Sequence, residues 1–428
     1  MNKRRTAITS FALVAGLGAL SGCSAAGAGS DSGQLTYWSM WTESEPQAAA
    51  IQSAIDAFET KTGITVSVQW QGRKVLDQVA AGLAAGSAPD LVDQAFDALG
   101  PSLNSQNALA DLSDVWDMQN EDGEKVSDAV NKDIAQGIPD YGGDVKDFMI
   151  PYTVSTVSLF YNAAGPYVSK APETYDELLA ICEAAKADGV GCIASDADAA
   201  WASEYWFDYL LDREAGDGSV GELFRDTSGA SWDRPEVKRV AEQVKGLVDK
   251  GFMSASYDAS QYPAARDGWA QGKSVFYLTG SWVVTETKDL VDAGWTYGGA
   301  NFPVVDDKAN DSLSILPFGF AVPSAANNPD AAKQFIAFFS SKEYAGKIAT
   351  EAGNLTALKN GPAPTNLEGV QKDLDSTSTR IAFDGSNGQL FAKVFDSAFN
   401  DLWLGKSTPQ EFIEASKKGQ IDYWKSQG

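Results

Sequence analysis

Strand and helix signals alternate along this chain, and the alternation limits the possible folds more than any other feature of the sequence. A short strand at 35–38 precedes a helical stretch that ends at Gly63, and apolar alternation over 64–70 predicts a half-buried second strand. A second helix ending at Gly86 and a third strand near 89–92 complete a βαβαβ unit. The pattern predicts an α/β fold in which helices cover parallel sheets.

Helix starts further along the chain carry capping signals. Three S/T-x-x-E boxes predict helix N-termini, because the hydroxyl and the glutamate each satisfy a free backbone N–H. Prolines stand where the first helical turn tolerates them. These signals are the pairs Thr174 and Glu177, Ser340 and Glu343, and Thr408 and Glu411, and the prolines Pro235, Pro329 and Pro409.

The first 33 residues have the pattern of an export signal. Lys3-Arg4-Arg5 forms a basic start, and the apolar stretch 8–20 is too short to span a bilayer. Leu20 to Cys23 resembles a bacterial lipobox, so we expect 1–22 to be a lipoprotein signal peptide and Cys23 the lipid anchor. Residues 23–33 are small and polar and predict a flexible tether. The alternative is ordinary signal-peptide cleavage beside an incidental cysteine.

Length and composition restrict the remaining function classes. At 428 residues the chain fits two domains. Its 58 acidic and 33 basic residues give a net charge of −25, which disfavours nucleic-acid binding. Histidine is absent, which excludes Ser-His and Cys-His catalytic pairs and histidine-ligated metals. No phosphate-binding, dinucleotide-binding or metal-ligand motif is present, so we expect no cofactor and no metal.

Two further cysteines stand ten positions apart, Cys182 in a predicted helix and Cys192 in the strand after it. In an oxidising compartment they are a disulfide candidate that would join the two elements. The alternative is a pair of buried free thiols.

A series of short motifs, in order, resembles the extracytoplasmic solute-binding proteins of carbohydrate ABC importers, the family of maltose-binding protein. Each motif is weak alone, and the order carries the resemblance over roughly 35–425. The motifs are FETKTGITV from Phe58, GSAPDL from Gly86, IPY from Ile150 with LFYN from Leu159, PETYDEL from Pro172, GSW from Gly280, FP from Phe302 and NPDAA from Asn328.

The resemblance implies a two-lobed periplasmic-binding-protein-like fold of type II, with the ligand cleft between lobes joined by hinge strands. Lobe 1 would hold 34–151 and 303–358, and lobe 2 would hold 152–302 and 359–428. The implied function is capture of a neutral oligosaccharide outside the membrane by hinge closure, followed by delivery to the permease subunits.

Sugar chemistry selects the candidate site residues. The C–H faces of a sugar stack on aromatic rings, and its hydroxyls pair with carboxylates and amides. By resemblance, Trp282 of the GSW motif is the leading stacking residue, with a core tryptophan as the alternative. Trp41 and Glu43 follow the first strand, where Trp41 could instead staple the helix start and Glu43 could simply face solvent. Asp97 is a candidate hydroxyl ligand or a helix N-cap.

The remaining candidates come from later segments. Ser155 occupies a position where maltose-binding protein has a carboxylate, which puts maltose-like recognition in doubt. In the aromatic cluster, Trp201 and Tyr205 share one helical face while Trp206 turns away. We favour Tyr205 and Trp206 as contacts, with Trp201 and Tyr205 as the alternative pair. Two more aromatic candidates, each with a core alternative, are Phe318 and Phe391.

Two other functions remain open at this point. The same scaffold could bind a polyol, a peptide or glycerol phosphate, although the acidic balance disfavours phosphate. A secreted glycoside hydrolase would need an acid and base carboxylate pair, for which no motif is recognisable. We therefore expect a non-enzymatic monomer, lipid-anchored at the outer face of the cell membrane, whose partners are a carbohydrate and an ABC permease.

Overall fold

The computed structural model describes residues 33–305, 310–386 and 390–427. The expected signal peptide at 1–22 and the expected lipid anchor Cys23 lie outside these residues, as does the expected tether except for Gly33.

Ten strands of the described chain form one sheet. Seven of them follow the order β2-β1-β3-β8-β4-β6-β5, and β10 pairs beside β8 while β7 and β9 pair beside β4. The strands are β1 (Gln34–Ser39), β2 (Thr65–Trp70), β3 (Leu91–Ala95), β4 (Ile150–Asn162), β5 (Gly191–Ile193), β6 (Ser274–Gly280), β7 (Tyr297–Ala300), β8 (Leu313–Ala321), β9 (Leu355–Thr356) and β10 (Thr379–Ile381).

Helices surround this sheet, which confirms the α/β expectation. The α-helices of the described chain are α1 (Pro46–Thr62), α2 (Val75–Ala85), α3 (Phe96–Ser102), α4 (Val126–Ala129), α5 (Asp133–Gln136), α6 (Tyr175–Ala187), α7 (Ala200–Ala215), α8 (Ser219–Arg225), α9 (Pro235–Asp249), α10 (Ala264–Ala270), α11 (Val283–Thr287), α12 (Pro329–Phe339), α13 (Lys342–Thr350), α14 (Glu368–Ser376), α15 (Asp396–Trp403) and α16 (Pro409–Gln427). A short 3-10 turn at Ala382–Gly385 and a π-helical turn at Phe391–Phe395 complete the elements near the site.

The expectation of parallel sheets is only partly correct. The first unit β1-β2-β3 pairs in parallel, as do β5 with β6 and β10 with β8. However, β8 runs antiparallel to both β3 and β4, and β6 and β7 run antiparallel to β4. The sheet is therefore mixed, because β8 returns from a distant part of the sequence to lie between β3 and β4.

Strand β4 pairs with two groups of strands. Its first half, through Thr156, pairs with β8 and β9, and its second half, from Val157, pairs with β6 and β7. A register irregularity between Pro151 and Thr153 breaks the ladder with β8, and such bulges bend a strand.

The buried apolar residues of the described chain form two hydrophobic cores. The first core packs α1, α12 and the strands of the βαβαβ unit, with Tyr37 and Phe335 fully buried at its centre. The second core packs α7, α9 and the C-terminal helices around Trp232, Phe395 and Trp403.

Four buried charges sit where α7 meets β10. Arg380 donates two hydrogen bonds to the Asp208 carboxylate, at 2.9 and 2.7 Å. Arg213 contacts Asp212 at 2.5 Å and also donates to the backbone carbonyls of Phe302 and Ser312, each at 3.0 Å. Every charge therefore has a partner of opposite sign, as burial in a core requires.

The helix starts match the capping signals with one correction. Thr174 with Glu177 and Thr408 with Glu411 form reciprocal capping boxes, and Pro235, Pro329 and Pro409 begin their helices. The box predicted at Ser340 is wrong by one residue. Ser341 caps α13 by accepting from the Tyr344 N–H, while the Ser340 hydroxyl donates back to the Ile336 carbonyl at the end of α12.

The structure joins Cys182 of α6 to Cys192 of β5 in a disulfide, with the two Cα atoms 5.0 Å apart. Both residues are fully buried in the second core.

Candidate functional site

The first cavity lies where the β1–α1 connection, β4, β8 and the β6–α11 connection converge, and it holds about 320 Å³. Both polar and aromatic side chains line it. Its lining residues are Met40, Trp41, Glu45, Gln47, Arg73, Thr153, Ser155, Trp282, Thr285, Glu286, Phe318 and Asn354.

Trp41 forms a fixed wall of the first cavity. Its indole N–H donates to the Tyr152 hydroxyl at 2.7 Å, and the Arg73 guanidinium lies 4.5 Å from the ring centroid. Arg73 is held there by Glu45 at 2.5 Å and by the Met40 carbonyl at 2.7 Å. Trp41 is only 5% exposed, and the Arg73 cation covers one face of its ring, so the indole cannot rotate freely.

A buried carboxylate anchors this wall from below. Asp93 is fully buried and accepts from the Tyr37 and Tyr152 hydroxyls at 2.9 and 2.7 Å and from the Met40 N–H at 3.1 Å. Burial raises the pKa of Asp93, and burial together with the nearby Asp93 raises the pKa values of both tyrosines. The chain of contacts from Asp93 through Tyr152 to Trp41 fixes the wall before any ligand binds.

Trp282 owes its position to the glycine two residues before it. A Cβ placed on Gly280 would meet the Trp282 indole at 2.0 Å, so the ring can fold over the end of β6 only because residue 280 has no side chain. The glycine therefore explains why the GSW motif places an indole in the cavity. Ser281 continues the contact, donating to the Ser155 hydroxyl at 3.4 Å.

Three rings from separate segments meet between the two cavities, and we call them the aromatic trio. Trp201 of α7 lies 6.2 Å from Trp282 and 5.6 Å from Tyr262, measured between ring centroids. Trp201 and Tyr262 are 40% and 36% exposed, among the most exposed large apolar side chains of the described chain. Exposed grouped rings of this kind mark a binding surface.

The second cavity lies beside the first and holds about 280 Å³. Leu316 lines the second cavity and Phe318 lines the first, so the two cavities follow the same face of β8. The lining residues of the second cavity are Phe96, Asp97, Trp201, Glu204, Tyr205, Leu316, Ala382, Phe383, Ser386, Phe391 and Asp396.

One wall of the second cavity is a strained turn. Phe383 and Asp384 both have left-handed backbone conformations, with φ of 53° and 47°. The Phe383 N–H donates to the buried Asp208, and Asp384 accepts from the Gly221 N–H at 2.9 Å. These contacts hold the Phe383 ring parallel to Tyr205, 5.5 Å away between centroids. Strain held by surrounding contacts is typical of ligand-binding walls.

Acidic groups of unequal exposure line the second cavity. Glu204 is 4% exposed, and burial together with the neighbouring Asp396 raises its pKa to about 9. Burial also raises the pKa of Asp396. Asp97 is open to the cavity, yet protein atoms replace enough of its hydration to raise its pKa.

The structure distributes eight of the ten proposed contact residues between the two cavities. The first cavity takes Trp41, Ser155, Trp282 and Phe318, and the second takes Asp97, Trp201, Tyr205 and Phe391. Phe391 is 7% exposed and packs against Phe224 at 4.5 Å, so it contributes to the core as well as to the cavity wall.

Two proposed contacts lie outside both cavities. Trp206 is 1% exposed and packs against Phe302 and Trp403 in the second core, so the preference for it over Trp201 is corrected. The first turn of α7 directs Trp201 outward, and Trp206 points inward as the helical spacing requires. Glu43 is exposed and lines neither cavity, whereas its neighbour Glu45 holds Arg73.

Several site residues were missed by sequence reasoning. Arg73 and Asp93 lie in segments without a recognisable motif, whereas Tyr152 belongs to the IPY motif but was not singled out as a site residue. The importance of all three comes from contacts across the sheet. Glu204 was hidden inside an aromatic cluster, and Asp396 lies nearly 200 residues further along. Only the exposed Tyr262 carried a usable signal, since it is an aromatic residue in a polar loop before α10.

The chain is similar to known proteins in sequence and in fold. The profile of the bacterial extracellular solute-binding proteins matches residues 53–373. The diacetylchitobiose binding protein NgcE of Streptomyces coelicolor is 24% identical over 317 residues, which cover 69% of this chain. The matched part spans 65% of that relative's length, a little under two thirds.

Solved structures agree with the fold. The bacterial solute receptor AcbH, described as preferring β-D-galactopyranose, superposes with a TM-score of 0.75 at 19% identity over 92% of this chain and 99% of that one. A cyclo/maltodextrin-binding protein in complex with maltotetraose superposes with a TM-score of 0.72 at 19% identity over 93% and 98%. At such identities the likeness establishes the two-lobed fold alone.

Proposed function

This chain belongs to the bacterial extracellular solute-binding proteins, and we propose that it is the substrate-binding component of an ABC importer for an oligosaccharide. The aromatic trio of Trp201, Tyr262 and Trp282 carries this proposal. The exposed rings of Trp201 and Tyr262 and the half-buried ring of Trp282 offer stacking faces to the apolar sugar faces, and polar side chains of the two cavities offer hydrogen bonds to the hydroxyls. The sugars named for the relative and for the superposed structures support the same class of ligand.

The expected lobes remain our proposal for the moving parts. With lobe 1 at 34–151 and 303–358 and lobe 2 at 152–302 and 359–428, each cavity takes lining residues from both lobes. A ligand that contacts both lobes favours the closed arrangement, because only closure completes its contacts. The buried residues of the second core all fall within the lobe 2 bounds, whereas the first core combines lobe 1 residues with lobe 2 residues such as Trp269, Tyr277 and Leu374.

We also propose that the protein works at the outer face of the membrane, anchored through Cys23 and acting as a monomer beside its permease. The extracellular family supports the location. Within the described residues, no helix combines the length and the apolar character needed to cross a bilayer. The described residues also hold no cluster of three or more metal-ligating side chains. We assign the protein no catalytic role.

Calorimetry with a panel of neutral oligosaccharides tests the proposal, with Trp282→Ala as the site variant. Losing a stacked ring should weaken binding about tenfold or more, since aromatic contacts are worth roughly 1 kcal/mol beyond burial. The matched control is Trp424→Ala on α16. It also removes a half-buried indole, but Trp424 lines neither cavity. Equal affinity in wild type and Trp282→Ala would move Trp282 to the core, and release of shorter sugars from the panel would make the protein a hydrolase.

Ligand-induced closure provides a second, independent readout. Small-angle scattering should show a smaller radius of gyration with a bound saccharide than without one. Identical scattering profiles with every saccharide of the panel, together with no calorimetric binding, would refute the proposed function.

A further inference from the structure

We propose that the second cavity is a subsite for a sugar unit carrying a free, protonated amine, so that the transported glycan is amino-substituted at that unit. The inference rests on the proposed function and narrows its ligand. It also replaces the uncharged glycan expected from the sequence with one that is positively charged at one position.

The second cavity presents unused hydrogen-bond acceptors. Among the described residues, Ser386 Oγ has no hydrogen-bond partner, and no other protein group donates to Glu204 Oε1 or Asp396 Oδ1, whose carboxyl groups lie within hydrogen-bonding reach of each other. Two of these atoms are carboxyl oxygens, and Glu204 is only 4% exposed. A buried carboxyl pair that receives no donor from the rest of the protein costs free energy, so the cavity suits a group that donates several hydrogen bonds.

The charge of the lining is also one-sided. Asp97, Glu204 and Asp396 are acidic, and no lysine or arginine lines the cavity in the described chain. Arg380, the buried cation nearby, is already committed to Asp208 and to Asp212.

Aromatic rings complete a surrounding suited to a cation. Trp201, Tyr205, Phe383 and Phe391 line the same cavity. The quadrupole of each ring attracts a positive charge over its face, which adds to the attraction of the carboxylates.

Donor counting separates an ammonium from the other common sugar substituents. An ammonium has three donors and no acceptor, whereas a hydroxyl has one donor and also accepts. An acetamide has one N–H donor and a carbonyl oxygen that carboxylates repel. The acceptor-rich lining therefore favours the ammonium over both.

Glu204 and Asp396 share a proton before the ligand arrives. Burial and the Asp396 carboxylate raise the pKa of Glu204 to about 9, so Glu204 is protonated at neutral pH. When an ammonium enters, it keeps its three protons and supplies the positive charge that the shared proton supplied before. The Glu204 proton is then released to the buffer, leaving two carboxylates around one cation.

Calorimetry with three β-1,4-linked tetrasaccharides tests the inference, because they differ only at the second carbon of each sugar. The probes are the tetramers of glucosamine, of N-acetylglucosamine and of glucose, at pH 6.5 and 150 mM salt. We expect the glucosamine tetramer to bind at least tenfold more tightly than either neutral tetramer. Titrations in buffers of different ionisation enthalpy should show up to one proton released per bound glucosamine tetramer.

Glu204→Gln and Asp396→Asn are the site variants, each checked for folding by circular dichroism and thermal melting. Each should reduce the preference for the amino tetramer to near unity, and Glu204→Gln should abolish proton release. Glu343→Gln, which removes one exposed charge on α13, controls for general attraction to this acidic protein and should keep the preference. Because the two variants change residues on different helices, the test still works if one of them fails to fold.

Each remaining outcome decides the question. The inference is overturned if the glucosamine tetramer does not bind, or if it binds no more tightly than the neutral tetramers. It is also overturned by a preference that survives in both site variants, or by equally tight binding of the polyamine spermidine. If neutral saccharides of the wider panel bind while the amino tetramer does not, the proposed function stands and only this inference falls. If no saccharide binds at all, both fall.

Discussion

Removing Arg380 should destabilise the protein strongly, because its guanidinium compensates charges that have no access to water. Arg380 makes two hydrogen bonds to Asp208, at 2.9 and 2.7 Å, and its Nε lies 3.2 Å from Asp212. Arg380→Met would keep a chain of similar length but leave Asp208 buried without a counter-charge. Breaking a buried pair from one side costs about 3–5 kcal/mol. We expect a loss of that size in the free energy of unfolding, measured by urea denaturation.

The same variant should show a distinctive pH dependence. Burial raises the pKa of Asp208, and without Arg380 that pKa should rise further. A protonated carboxyl is less costly to bury, so the loss should be smaller at pH 5 than at pH 8. The double variant Arg380→Met with Asp208→Leu should recover part of the stability, because it removes the uncompensated charge.

Lys125→Met provides the matched control. It breaks the pair with Asp117, whose side chains are 53% and 77% exposed, and should leave the unfolding curve unchanged. The reasoning is refuted if Arg380→Met costs less than about 1 kcal/mol, or if its cost is the same at pH 5 and pH 8.

Three further perturbations test other parts of the structure. Gly280→Ala should displace the Trp282 indole and weaken saccharide binding as much as Trp282→Ala does, since the added methyl would lie 2.0 Å from the ring; an unchanged calorimetric affinity would contradict the assigned ring position. Replacing Cys182 and Cys192 together by serine should lower the free energy of unfolding by about 3 kcal/mol, from the chain entropy of a loop of roughly ten residues. A reducing agent should destabilise the wild type in urea by a similar amount and leave the double variant unaffected, and equal responses would show that the bridge is not formed. Glu204 should make stability fall as pH rises, because its pKa is raised from 4.5 in the unfolded chain to about 9 in the folded protein. That stability is complete below pH 4.5 and lost toward pH 9, so Glu204→Gln should melt higher than the wild type at pH 9 and gain little at pH 5; parallel melting curves from pH 5 to 9 would exclude a proton held by Glu204.

The local features of the fold were predictable from the sequence. Periodicity identified β1, α1, β2 and α2, because each of these elements buries one regular face. Gly63 and Gly86 marked helix ends correctly, and both adopt the left-handed conformation that favours glycine. The antiparallel placement of β8 was not predictable in this way, since it depends on contacts between segments more than 150 residues apart.

The site shows the same division between local and distant causes. The GSW motif contains its own explanation, because Gly280 and Trp282 are neighbours on one strand end. Helical spacing correctly separated Trp201 from Trp206, but it could not decide which of them faces solvent. Asp93 and Glu204 could not be recognised, because their altered pKa values come from burial beneath elements remote in sequence.

Because β4 continues without a register shift from Thr153 to Asn162, the alignments of its two halves are a single choice. A slip of one residue against β8 would turn Ser155 to the opposite side of the sheet, and the same slip would present Leu159 wrongly to β6. An error made while either half assembles is thus carried into the other, so that the correct pairing of one half enforces the correct pairing of both.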